Sequence, residues 1–141
     1  DKIHFDYKQA MMSLGSLSEL IQQLKIELEP TKIIVAGFSQ GATMAMAAGF
    51  QYPNYYSAVV ALSGLFGEQM KPDDLETLTG LPVFVSHGTH DEVIPIEQAR
   101  DSKVLLSDLP IELDYFEYDM GHTIGPDCLS RLREWVFEKL D

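Results

Sequence analysis

The stretch that decides the fold is IIVAGFSQGATMAMAAGF, residues 33–50. An apolar run climbs to Gly37, Ser39 stands between two glycines, and small residues follow. Ile33-Ile34-Val35-Ala36 is uninterrupted and rich in β-branched side chains, the pattern of a strand covered on both faces. From Gln40 to about Gln51, the alanines 42, 45, 47 and 48 predict a helix pressed closely onto its neighbour. The lone polar Ser39 therefore falls where the strand gives way to the helix.

The same alternation extends in both directions. Upstream, Tyr7, Met11, Leu14, Leu17, Ile21, Leu24 and Leu28 recur at three- and four-residue spacing, an apolar stripe that predicts a helix over 7–28. Asp6 suits its N-cap and Pro30 its stop. Downstream, residues 58–62 predict a second buried strand, with Gly64 and Gly67 in the loop after it. Residues 81–85 predict a third, with Pro82 near its start where it costs little. A helix is expected over 96–106. In 111–118, Ile111, Leu113 and Tyr115 share a face against acidic neighbours, with a shift of phase near Phe116, which predicts an edge strand. A last helix over about 127–140 would carry Leu129, Leu132, Val136 and Phe137 on one side. Strands alternating with helices imply an α/β fold in three layers: a mostly parallel sheet of about four strands flanked by helices, joined by right-handed crossovers. Residues 1–141 read as one domain, without repeats or low-complexity tracts.

Composition bounds the function. The formal net charge is −12, which sets electrostatics against nucleic acid and anionic membrane as partners. No apolar run approaches the roughly 20 residues that span a bilayer, and no signal-peptide pattern opens the chain. Cys128 is the one cysteine and so forms no internal disulfide; with the missing leader pattern this predicts a cytoplasmic setting. The opening Asp-Lys-Ile lacks an initiator Met and reads as a processed form or a piece of a longer chain.

Open α/β sheets bind ligands at the carboxyl ends of their strands, and Ser39 is at such an end. Gly37-Phe38-Ser39-Gln40-Gly41 matches G-x-S-x-G, the nucleophile elbow. The turn is expected to be so tight that the residues two before and two after the serine must both lack bulk. The bland reading is an ordinary turn serine at a glycine-rich helix start. A serine hydroxyl needs a base to take its proton and a third group to orient that base. Two loops at the same sheet edge offer them. Asp91 follows the third strand in Ser86-His87-Gly88-Thr89-His90-Asp91, and His122 follows the fourth in Asp119-Met120-Gly121-His122. Competing assignments exist: Glu92 as the acid, His87 as the base or as a supporting hydrogen-bonder, and His87, His90 and Asp91 as a loose metal set lacking a further ligand. His90 is expected to be exposed, Cys128 buried, Ser63 a turn residue, and His4 carries no signal.

These residues carry a resemblance. Gly37-Phe38-Ser39-Gln40-Gly41, His87-Gly88-Thr89 with Asp91 and Val93-Ile94-Pro95, and Gly121-His122 with Ile124 resemble the carboxylesterase/lysophospholipase/acyl-protein thioesterase family of α/β-hydrolases, from about residue 7 to 140. Ala42 departs from the glycine usual there. The resemblance implies Ser39 as nucleophile, Asp91 as orienting acid, His122 as general base, and the backbone N–H of Gln40 as half of an oxyanion hole. It implies hydrolysis of small-molecule carboxylic esters or thioesters with apolar acyl groups, through an acyl-enzyme and without cofactor or metal. Family members carry further strands ahead of the one at 33–36, and a loop there supplies the second oxyanion donor. The resemblance thus covers a C-terminal portion of the fold, a truncated α/β-hydrolase. It leaves strand 33–36 as an open edge expected to self-associate or pair with another chain. A non-catalytic interaction module, an inactive fragment that kept the fold and a peptidase of the same fold remain as alternatives.

Overall fold

Helix α1 (Tyr7–Leu28) begins where the sequence places it: the Asp6 side chain accepts the Gln9 N–H at 3.1 Å. It ends at Glu29, whose left-handed backbone (φ 47°) lets its N–H reach the Lys25 carbonyl. The structure, a computed structural model, describes residues 6–141; His4 and the Tyr7 side chain of the expected stripe lie outside it. The stripe that packs is narrower than the periodicity suggests. Leu14 is buried with Ala10 and Ser18, and Leu17 and Ile21 pack beside them, whereas Leu28 is 69% exposed.

Strands β1 (Ile34–Phe38), β2 (Ala58–Leu62), β3 (Pro82–Gly88) and β4 (Glu112–Tyr118) form one parallel sheet in that order. Helices α2 (Gln40–Gln51), α3 (Ile96–Ser107) and α4 (Pro126–Leu140) complete the alternation, with short 3-10 turns at Pro53–Tyr55, Glu68–Met70 and Leu75–Leu78. β1 starts one residue later than expected and runs on through Gly37 and Phe38; β3 runs on through Ser86, His87 and Gly88.

The sheet buries both faces, which is why β2 is apolar at every position. On one face Val59, Ala61, Val83 and Val85 pack under α1, α2 and α3. The alanines of α2 bring it close, and Ala42, Ala45, Ala47 and Ala48 are all buried. On the other face Val60, Leu62 and Phe84 meet α4. Here the expected helix face is corrected. Cys128, Leu132, Trp135 and Val136 point inward, while Leu129 and Phe137 are each 57% exposed. Trp135 Nε1–H donates to Asp114 at 2.8 Å, so an acidic residue of β4 serves the interior. The expected phase shift in β4 is also absent. Pairing with β3 continues in register from Pro82–Glu112 to Gly88–Tyr118, and Phe116 and Tyr118 simply cover the α4 face while Leu113 and Tyr115 cover the other. β4 has β3 as its single neighbour among the described residues, at the edge expected. β1 too has a single neighbour among the described residues. Lys32, just before β1, donates to the carbonyls of Lys139 and Leu140 at 3.1 and 2.6 Å, a cation at the negative end of α4.

Candidate active site

Ser39 is the single residue between β1 and α2, and its backbone (φ 59°, ψ −120°) occupies a region that side-chain-bearing residues rarely adopt. Such a conformation costs on the order of 1–3 kcal/mol and persists only when its surroundings dictate it. They do so here. The Ser39 N–H donates to the Leu62 carbonyl of the neighbouring strand at 2.8 Å, and the Ser39 carbonyl accepts the amides of Ala42 and Thr43. The tightness of the turn falls on one glycine, not two. A Cβ on Gly37 would come within 2.0 Å of the Gly41 carbonyl oxygen, but a Cβ on Gly41 meets nothing within 4 Å, because only its carbonyl lies against the strand. The methyl of Ala42, where another glycine was the expected residue, is fully buried in the core.

The loops after β3 and β4 are tied together at the same end of the sheet. Thr89 N–H donates to the Tyr118 carbonyl at 2.9 Å and His90 N–H to the Met120 carbonyl at 3.1 Å. Gly88 permits the approach, since a Cβ there would come within 2.2 Å of the Met120 oxygen. This places Asp91 beside His122, and His122 beside Ser39. His122 Nδ1 lies 2.8 Å from Asp91 Oδ2, and His122 Nε2 lies 3.0 Å from Ser39 Oγ. The Phe38 ring leans on the imidazole with centroids 4.8 Å apart.

The Asp91 side chain is fully buried. Burial pushes its carboxyl upward, but the Ile94 amide, the His122 ring and the Val93 amide donate to it, and the His122 charge adds to them; together they hold it below the usual carboxylate range. Both amides reach Oδ1 at 2.8 Å. An ionised carboxylate only accepts, so His122 carries its proton on Nδ1 and turns the Nε2 lone pair toward the serine hydroxyl. The arrangement can take a proton from Ser39 and stabilise the imidazolium that results.

The family model described as phospholipase/carboxylesterase matches residues 2–138. The chain belongs to that family. It is 31% identical over 137 residues to the acyl-protein thioesterase 1 of Saccharomyces cerevisiae, covering 92% of this chain and 60% of the relative. It is 29% identical over 143 residues to the acyl-protein thioesterase 1 of Gibberella zeae, covering 96% and 60%. The fold matches the crystal structure of a Bacillus cereus carboxylesterase with a TM-score of 0.84 at 22% identity, over 96% of this chain and 64% of that one. The chain thus spans about 60% of the length of these curated relatives.

The remaining polar residues of this phospholipase/carboxylesterase-family chain separate clearly. Glu92 is exposed, with no part in the Ser39–His122–Asp91 contacts. His90 is exposed and pairs with Asp119 at 2.7 Å, while His87 is buried and bonds the Ile94 carbonyl, so the loose metal set does not converge. Cys128 is buried and its thiol donates to Ser86 Oγ at 3.3 Å; burial, partly offset by that contact, pushes the thiol up. Ser63 is more than a turn residue: it is buried at φ 57° and its hydroxyl has no partner among the described residues.

A cleft of about 720 Å³ opens beside Ser39 and Gln40, walled by Thr43, Leu65, Phe66, Met70, Ile94 and Leu105. Two of the hydroxyls in its wall are already engaged, while Gln69, Gln98 and Asp101 add polar side chains to it. Thr43 Oγ1 bonds the Leu65 backbone, and Ser102 Oγ bonds the Phe66 amide and carbonyl. Leu65, Phe66, Met70, Val93, Ile94 and Leu105 nonetheless make most of its surface apolar. Sequence reading missed it: Leu65, Phe66 and Met70 belong to an aperiodic loop, and the only signal was a cluster of large apolar residues among glycines. At its head the amides of Ala42 and Thr43 turn inward to Ser39 O, while those of Gln40 and Gly41 have no acceptor among the described residues, as expected for a first helical turn.

Proposed function

We propose that this chain provides the catalytic centre of a serine hydrolase that cleaves carboxylic esters or thioesters with apolar acyl groups. The observation that carries the reading is the contact of Ser39 Oγ with His122 Nε2 at 3.0 Å, with Asp91 behind the ring. In this reading Ser39 Oγ attacks the acyl carbonyl while its proton passes to His122 Nε2. The Gln40 N–H holds the resulting oxyanion, and one such donor is worth about 10²–10³ in rate. The His122 proton then goes to the leaving alcohol or thiol, which departs and leaves Ser39 acylated. Water, deprotonated by His122, attacks the acyl-serine; the carboxylic acid leaves and the hydroxyl is restored. Asp91 stays ionised throughout and fixes the ring. The apolar cleft beside Ser39 suits the acyl chain. No metal or cofactor is needed for these steps. The free cysteine fits a cytoplasmic setting.

The same reading takes the open edge of β1 as a pairing site for a further strand or a second copy. Light scattering of this chain should show association that grows with concentration; a monomer at every concentration would remove that part.

The covalent step is tested by acid-quenching the chain during turnover of a chromogenic ester and weighing the peptide that holds residue 39. The expected result is an acyl adduct on Ser39 and a burst of released alcohol. Turnover with no acylated peptide, or no turnover and no adduct, would overturn the mechanism.

A further inference from the structure

Asp91 is held by two backbone amides, by His122, and by a second imidazole that the reaction above does not use. His87, the penultimate residue of β3, is wholly buried. Its Nε2 lies 2.8 Å from the Ile94 carbonyl oxygen and 3.3 Å from Asp91 Oδ2. A carbonyl oxygen only accepts, so Nε2 carries the proton and Nδ1 presents a bare lone pair. That Nδ1 finds no partner among the described residues. Buried polar atoms are normally paired, and an unpaired one costs free energy that an apolar ring of the same size would not. A histidine is therefore a poor choice for filling this space. Its one engaged atom faces the acid.

The contacts close a circuit. His87 Nε2–H donates to Ile94 O, Ile94 N–H donates to Asp91 Oδ1 at 2.8 Å, and the same Nε2–H edge lies against Oδ2, the oxygen that receives His122. The carboxyl torsion of an aspartate is intrinsically broad, so it needs such support to keep one angle. We propose that His87 is a positioning residue: its Nε2–H pins the Ile94 carbonyl and the Oδ2 edge of Asp91, and so sets the angle at which Asp91 meets His122. This rests on the hydrolase reading for its consequence in turnover, but not for its geometry.

Two substitutions separate positioning from packing. His87→Phe keeps a ring and removes the N–H; His87→Gln keeps a side-chain N–H. The first readout is the far-downfield proton resonance of His122 Nδ1–H in the substrate-free chain, which needs no activity. It should be sharp in the wild type and in His87→Gln, and lost to exchange in His87→Phe. The second is ester hydrolysis, where His87→Phe should lower kcat by about tenfold to a hundredfold, the scale of a small misplacement, with KM little changed, and His87→Gln should recover most of it. His87→Met fills the same space flexibly and replaces the phenylalanine variant should that chain fail to fold. An unchanged resonance in His87→Phe would overturn the proposal. So would equal losses of kcat and melting temperature in Phe and Gln, or a wild type without the resonance. A wild type with the resonance but no turnover would sink the hydrolase reading and leave the positioning role to be decided by the resonance alone.

Discussion

Two serines close two neighbouring strands of this sheet, and they share a backbone oddity. Ser39 follows β1 at φ 59° and Ser63 follows β2 at φ 57°, and each anchors its N–H on the strand beside it, Ser39 on Leu62 and Ser63 on Ser86. There the likeness ends. Ser39 turns its hydroxyl to His122, backed by a buried carboxylate, beside an apolar cleft. Ser63 is sealed at 0% exposure, its hydroxyl without a partner among the described residues. On the proposed reading, a strained serine at a strand end is not enough to make a nucleophile. The base within reach and the opening above it make the difference: the base comes from the loop after β4, and the opening lies between α2, α3 and the loop after β2.

The comparison breaks most sharply by substitution. Ser39→Ala should lower ester turnover by about 10⁶-fold, the scale of losing a serine nucleophile, with the fold intact by circular dichroism. Ser63→Ala should leave turnover unchanged, because its hydroxyl reaches neither base nor cleft. Comparable losses in both would mean the two serines work together.

Next in size is the acid. Asp91→Asn should cost about 10⁴ in kcat by favouring the wrong tautomer of His122, while Glu92→Gln should behave as the wild type. An active Asp91→Asn with a dead Glu92→Gln would transfer the role to the neighbour. Asp91 also sets an acid limit. Its carboxyl is held below the usual range in the folded chain, so its stabilising contribution is complete above the ordinary aspartate range and is lost as pH falls through the lower folded value. Urea midpoints of the wild type should therefore fall with pH on that limb, and the Asp91→Asn midpoints should fall less steeply.

The smallest effects concern the strain the two serines share. Ser39→Gly and Ser63→Gly should each stabilise the chain slightly, by about 1 kcal/mol, since glycine accepts positive φ freely. A gain at one site only would show that the strain is unequal. Gly41→Ala should likewise be tolerated, whereas Gly37→Ala should destabilise by about 1–3 kcal/mol or more as it meets the Gly41 carbonyl.

How far the sequence foretold these arrangements depends on what each residue is buried by. β2 and α2 lie where periodicity places them, because apolar side chains alone secure them. β3 was expected to end at Val85, yet Ser86 and His87 continue it fully buried, the first against Cys128 and the second on the Ile94 carbonyl. Hydrophobic pattern cannot register a polar residue buried by its bonds. Of the expected face of α4, Leu132 and Val136 pack on the sheet and Cys128 is buried as expected, but Leu129 and Phe137, which look like core residues, are exposed and Trp135 takes their place. Ser39, Asp91 and His122 were legible, since motif and chain order name them, whereas the strain of Ser63 and the cleft wall at 65–70 depend on loop geometry that has no period.

The most direct measurement is reaction of the chain with a fluorophosphonate, followed by mapping of the adduct. A single adduct on Ser39, lost in Ser39→Ala and slowed in Asp91→Asn, is the predicted result. An adduct on Ser63, or no adduct on any serine of a folded chain, would contradict the central claim that His122 and Asp91 activate Ser39 alone.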